Sequence, residues 1–69
     1  MNSVRPLQQR QLIDIAAAAD YLATTERHVR ALVERDAVPY FKVGRRVRFD
    51  VDDLDRWLHA HRRGAVVEA

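Results

Sequence analysis

The chain has 69 residues, 48% of them hydrophobic, with no cysteine and a formal net charge of +2. That length allows one small domain with a marginal core, and the absence of cysteine excludes disulfide staples, thiolate metal sites and a cysteine nucleophile. No apolar run approaches the ~18 residues of a membrane span, the opening MNSVRPLQQRQ has no apolar core for a signal peptide, and the absence of cysteine fits a reducing cytosol.

Residues 1–11 are polar and contain Arg5-Pro6, and are read as a flexible arm. Leu12-Ile13-Asp14-Ile15 forms a short extended entry. AAAADYL, residues 16–22, favours a helix because alanine loses almost no side-chain entropy there. Asp14 suits its N-cap, and Ala18, Ala19 and Leu22 share one face whose small side chains admit a second helix at close range. A second helix follows, capped by Thr24 or Thr25, with Glu26 at its positive end and an apolar stripe of Val29, Leu32 and Val33. Arg35-Asp36 ends it and Pro39 prevents a restart. The spacing predicts a gap of two or three residues between the helices, which is a helix-turn-helix.

In PYFKVGRRVRF, residues 39–49, Phe41, Val43, Val47 and Phe49 alternate with Lys42, Arg46 and Arg48 around Gly44-Arg45. The alternation predicts a two-stranded hairpin with one apolar, packed face and one basic, wet face, turning at Gly44. Asp50 then caps a third helix, with Asp52 and Asp53 in its first turn and a stripe of Val51, Leu54, Trp57 and Leu58. Gly64 is expected to stop it as the C′ residue, leaving 64–69 as a loose tail. The predicted fold is mainly α with a small β-hairpin wing, a winged helix-turn-helix over residues 12–63.

Charge is unevenly spread. Arg27 to Arg48 holds seven basic residues and two acids, a balance of +5, while Phe49 to His61 holds four acids and one arginine, a balance of −3. Such a split governs partners more than the total does.

LIDIAAAADYLATTERHVRALVERDAVPYFKVGRRVRFDVDDLDRWL, residues 12–58, resembles the excisionase-type, MerR-like winged-helix DNA-binding domains. The most specific portion is VPYFKVGRRVRFDVDDLDRWL: Pro39, the basic hairpin, Phe49, and an acidic helix start leading to Leu54 and Trp57-Leu58. The chain departs from the family pattern at Ala16 and Ala17, where acids are common, and at Ala23 and Asp36, where glycine is common. The resemblance implies a recombination directionality factor. Such a protein binds tandem sites beside an attachment site, bends the duplex and directs a tyrosine integrase toward excision of a prophage or mobile element. The arginine and alanine content resembles that of a high-GC actinobacterial host or its phage. MerR-like activators dimerise through a long helix after the domain. Only HRRGAVVEA follows here, which favours the excisionase reading over a small transcriptional regulator.

The expected partner is therefore double-stranded DNA, with the integrase and neighbouring copies of the chain beside it. The acidic 49–61 segment of one copy would face the basic 27–48 region of the next in an open head-to-tail array. In a helix-turn-helix the start of the second helix reaches base edges, which nominates Thr25, Glu26, Arg27, His28 and Arg30. Arginine pairs bidentately with guanine and glutamate accepts from cytosine, and the sequence leaves open which of Arg27 and Arg30 touches a base. On the wing, Lys42, Arg46 and Arg48 are expected on phosphates and Arg45 in the minor groove.

Other chemistry is weaker. His59 and His61 point about 200° apart on a helix and His28 lies on another element, so no metal site is expected. Asp50, Asp52 and Asp53 are explained by a cap and an acidic first turn, and Thr24, Thr25 and Ser3 have no base beside them. No catalytic residue, cofactor or small-molecule ligand is predicted. Trp57, Phe41 and Phe49 are read as core rather than as stacking platforms for single strands. A rival from another class is a protein-interaction adaptor, antitoxin-like, whose basic face meets an acidic protein.

Overall fold

A computed structural model describes residues 11–64. The expected arm and tail, 1–11 and 64–69, lie almost wholly outside them. The chain order is β1 (Leu12–Ile13), α1 (Ile15–Tyr21), α2 (Glu26–Glu34), β2 (Phe41–Val43), β3 (Arg46–Asp50) and α3 (Val51–Ala60). The expected hairpin is in fact part of a three-stranded antiparallel sheet in the order β1-β3-β2. The extended entry Leu12–Ile13 adds the third strand, pairing Leu12 with Asp50 and Ile13 with Phe49. Its neighbour Gln11 accepts the Val51 N–H at 3.2 Å, which ties the start of α3 to the same edge.

Each helix starts where a short oxygen-bearing side chain can take up an orphan N–H. Asp14 accepts from Ala17 at 2.9 Å, Thr25 from His28 at 3.1 Å and Asp50 from Asp53 at 3.3 Å. Thr25, not Thr24, is thus the cap of α2. The turn between α1 and α2 comprises residues 22–25, longer than predicted, because α1 ends in a hydrogen-bonded wrap that α2 repeats at its own end. Thr24 N–H reaches Ala19 O and Ala23 N–H reaches Asp20 O, at 2.9 and 3.1 Å. At the end of α2, Ala37 N–H reaches Leu32 O and Asp36 N–H reaches Val33 O, at 2.8 and 2.9 Å. These are Schellman motifs, which place the C′ residue in the left-handed region. Ala23 has φ 57° and Asp36 has φ 52°. The two positions where the family favours glycine are therefore the two that need it.

Alanine in that region costs about 1–2 kcal/mol, partly offset by the unfolded-state entropy that a glycine adds. Ala23→Gly is expected to raise the melting temperature by roughly 3–6 °C, given about 4–8 °C per kcal/mol for a domain of this size. A thermal melt followed by circular dichroism checks it. Asp36→Gly gains less, because aspartate tolerates this backbone better and Asp36 Oδ1 accepts the Tyr40 hydroxyl at 2.7 Å. That bond, then the charge of Asp36, then slight burial, hold the Tyr40 phenol above its ordinary pKa.

Two Schellman stops and three caps fold the helices over one small core. Ala18 and Ala19 of α1 face Val29 and Leu32 of α2, and Val38, Phe49 and Leu54 complete it. Ile13, Ile15, Leu22, Val33, Tyr40, Val47 and Trp57 pack around its edge. Trp57 is half-buried as expected of a core residue, and its indole N–H donates to Ala37 O at 2.8 Å, tying α3 to the segment after α2. Leu58, expected on the same stripe, is exposed because no described element covers that side of α3. Gly64 does have a positive φ, but α3 ends at Ala60 with His61 as its cap, so Gly64 lies beyond the C′ position.

The hairpin faces differ from the expectation. The register pairs Phe41 with Arg48, Lys42 with Val47 and Val43 with Arg46, across the two-residue turn Gly44-Arg45. Gly44 alone of the pair has positive φ, at 63°, as a II′ turn requires. Residues opposite each other share a face. An even-length turn therefore places odd-numbered residues of β2 with even-numbered residues of β3. One face carries Phe41, Val43, Arg46 and Arg48, and the other carries Lys42, Val47 and Phe49. The core takes the second face: Phe49 is fully buried, whereas Val43 is 56% exposed. The wing is mixed on both faces rather than apolar on one and basic on the other.

Candidate nucleic-acid interface

Helix α2 distributes its nominated residues at about 100° per position. Val29 and Leu32 are buried, so Arg27 projects opposite the core. Arg30 turns toward the flank of Val33, and His28 lies on the other flank. Thr25, Glu26, Arg27, His28 and Arg30 are all exposed. The Thr25 hydroxyl oxygen is occupied in capping α2, which makes the residue a fixed point for the start of that helix. Glu26 sits in the first turn, where a negative charge meets the positive end of the helix.

The wing approaches α2 along the Arg30 flank. Between them lies an open cleft of about 270 Å³, lined by Asp14, Ile15, Arg30, Val33, Arg45, Arg46, Val47 and Arg48. Of the nine nominated residues, the structure brings four to this cleft: Arg30 from α2, and Arg45, Arg46 and Arg48 from β3 and its turn. Thr25, Glu26, Arg27, His28 and Lys42 do not line it. Sequence reasoning gave Asp14 only a capping role, and it gave Ile15, Val33 and Val47 none at the site. Nothing in the linear pattern links residue 14 to residue 48, since they meet only through the pairing of β1 with β3.

None of the four cleft arginines is ion-paired with a described residue. Among the described residues, the ion pairs are Arg56 with Asp53 at 2.8 Å and His59 with Asp55 at 3.9 Å, both within α3. Neither touches the cleft. Arg48 Nη1 donates to the carbonyl of Val47 at 2.8 Å, which lays that side chain along its own strand. Asp14 is the one acid on the wall, and its Oδ1 accepts the Ala17 N–H.

The histidines are placed apart. His59 Nδ1–H donates to Asp55 O at 2.9 Å and His61 Nδ1–H to Trp57 O at 2.8 Å, with the His61 ring centroid 4.2 Å from that of Trp57. No group of three or more potential ligands for a metal occurs among the described residues. No helix among them is long and apolar enough to cross a membrane.

Three helices, a wing that projects beside the second of them, and a basic cleft between the two define a winged helix-turn-helix DNA-binding protein. A family model described as a helix-turn-helix domain matches residues 12–62, and the chain belongs to that family, which includes excisionase-like DNA-binding proteins. Among curated proteins, none matches the chain.

Proposed function

We propose that this protein is an excisionase. It binds tandem sites in duplex DNA, bends them, and directs a tyrosine integrase toward excision of a prophage or mobile element. The observation that carries the DNA-binding part is the convergence of Arg30, Arg45, Arg46 and Arg48 on one cleft with no carboxylate paired to any of them among the described residues. A domain this small does not gather like charge without an external anion to answer it, and the polyphosphate backbone is that anion. The excisionase part rests on the resemblance over residues 12–58. In this reading α2 enters the major groove and the wing follows the adjacent minor groove.

Association between copies would draw on fewer acids than the sequence offers. Asp50 is only 2% exposed, so the exposed acids of α3 are Asp52 and Asp55, the latter 3.9 Å from His59. The deciding experiment is selection of sheared host and element DNA by the purified protein at moderate salt, followed by sequencing. Closely spaced direct repeats beside an integrase attachment site are expected. Enrichment of a lone palindrome would make the protein a dimeric regulator instead, and no enrichment at all would remove the sequence-specific reading.

A further inference from the structure

Arg27 and Arg30 look equivalent in the sequence, three residues apart on one helix. The structure separates them. Arg27 projects away from the core and does not line the cleft beside the wing. Arg30 lines the cleft together with Arg45, Arg46 and Arg48. Arg30 also stands four residues after Glu26 and four before Glu34, the spacing at which a helical ion pair forms, yet it pairs with neither. Its guanidinium is left to the cleft.

We infer that this cleft seats a single phosphodiester of the DNA backbone, gripped between Arg30 of α2 and the arginines of the wing, so that Arg30 positions the protein while Arg27 reads a base. This rests on the DNA-binding reading above and assigns the roles within it. The size fits. A cleft of about 270 Å³ is several times the ~30 Å³ share of one water, and below the ~300–1,000 Å³ of pockets that enclose drug-sized ligands. The lining fits as well. Ile15, Val33 and Val47 give it apolar walls that strengthen the pull of a cation on an anion. Four arginines face one aspartate whose oxygen is engaged in the cap of α1. A backbone phosphate held here would fix the distance between wing and recognition helix on the duplex. Contacts of that kind set register without carrying sequence information.

The test uses the duplex enriched in the selection described above, a random-sequence duplex of the same length, and Arg30→Gln, Arg30→Lys, Arg27→Gln and Arg27→Lys. Binding is followed by fluorescence anisotropy across a range of salt. Loss of one phosphate contact should lower the salt slope by about 0.9 and weaken binding about eightfold at 0.1 M salt. Arg30→Gln is expected to show both changes, by the same factor on the two duplexes. Arg30→Lys keeps the charge and should recover most of the loss. Arg27→Gln should lose the preference for the enriched duplex at an unchanged slope, and Arg27→Lys should not restore it, because a lysine cannot reproduce a bidentate contact.

A scan of single neutral methylphosphonate linkages through the enriched duplex adds an independent reading. One linkage should weaken the parent protein and Arg27→Gln but leave Arg30→Gln unaffected. If Arg30→Gln instead lost preference at an unchanged slope, or stayed as sensitive as the parent at every linkage, the assignment would be overturned. If the parent protein bound neither duplex, the DNA-binding reading itself would fall, and this outcome is distinct from the others. All four side-chain changes are at exposed positions, and circular dichroism confirms folding before binding is compared.

Discussion

Phe49→Ala is expected to leave most of the chain unfolded at room temperature, while Val43→Ala leaves the melting curve within error of the parent. Phe49 is fully buried and joins every layer of the core: it pairs with Ile13 across the sheet and packs in one cluster with Ala18, Ala19, Val29 and Leu54. Truncating a buried phenylalanine to alanine costs about 3–5 kcal/mol. A domain below about 70–80 residues seldom has more than about 3–5 kcal/mol in total, so little stability is left. Among the described residues two of the seven that form the core are alanines, and their rigid helical backbones leave few side chains to collapse into the hole. Val43 has the same hydrophobic character and the same odd-numbered place in the hairpin pattern. It is mostly exposed, beside Arg46, and exposed substitutions of this kind stay within about 0.5 kcal/mol. The pair of variants therefore tests the register directly. A hairpin with all four of its apolar residues on one packed face would make both changes damaging.

That contrast shows what the sequence could and could not convey. The caps at Asp14 and Asp50 were legible because each depends on a side chain reaching an N–H three residues on, a relation wholly local. The apolar stripes of α2 were legible for the same reason. The facing of the hairpin was not. Alternation fixes which residues of one strand agree with each other, but agreement between strands depends on whether the turn holds an even or odd number of residues. Gly44-Arg45 is compatible with either count until pairing is known. Strand β1 was visible only as an extended entry, since two residues are too few for a period, and its pairing depends on Phe49 and Asp50 more than 35 positions away. Ala23 and Asp36 hid the left-handed stops because the usual signal is glycine, although the departure from the family pattern marked both places. The candidate interface divided along the same line. Its charges were plain in the sequence, but that Arg30 lines the cleft with the wing arginines and Arg27 does not is visible only once the fold brings α2 and β3 to one cleft.

The largest effect on function is expected from replacing Arg45, Arg46 and Arg48 together by glutamine. If the protein neutralises about five phosphates, log K falls against log salt with a slope of about −4.5. Removing the wing's share of those contacts, the cleft phosphate among them, should make the slope shallower by about 0.9 and weaken binding about eightfold at 0.1 M salt for each phosphate lost. Stability should hardly move. No carboxylate of a described residue pairs with these arginines, so no ion pair is lost. Relief of repulsion between like charges in water offers less than about 1 kcal/mol, against about 1 kcal/mol for the bond from Arg48 to the Val47 carbonyl. A melting temperature within a few degrees of the parent, alongside a collapse in binding, is the expected pairing of results. Titrating duplex DNA at three or more salt concentrations, with a melt on the same preparations, measures both. A variant that lost stability in step with binding would show that the wing arginines hold the fold together. The reason offered here for their crowding, an anion supplied from outside the chain, would then be wrong.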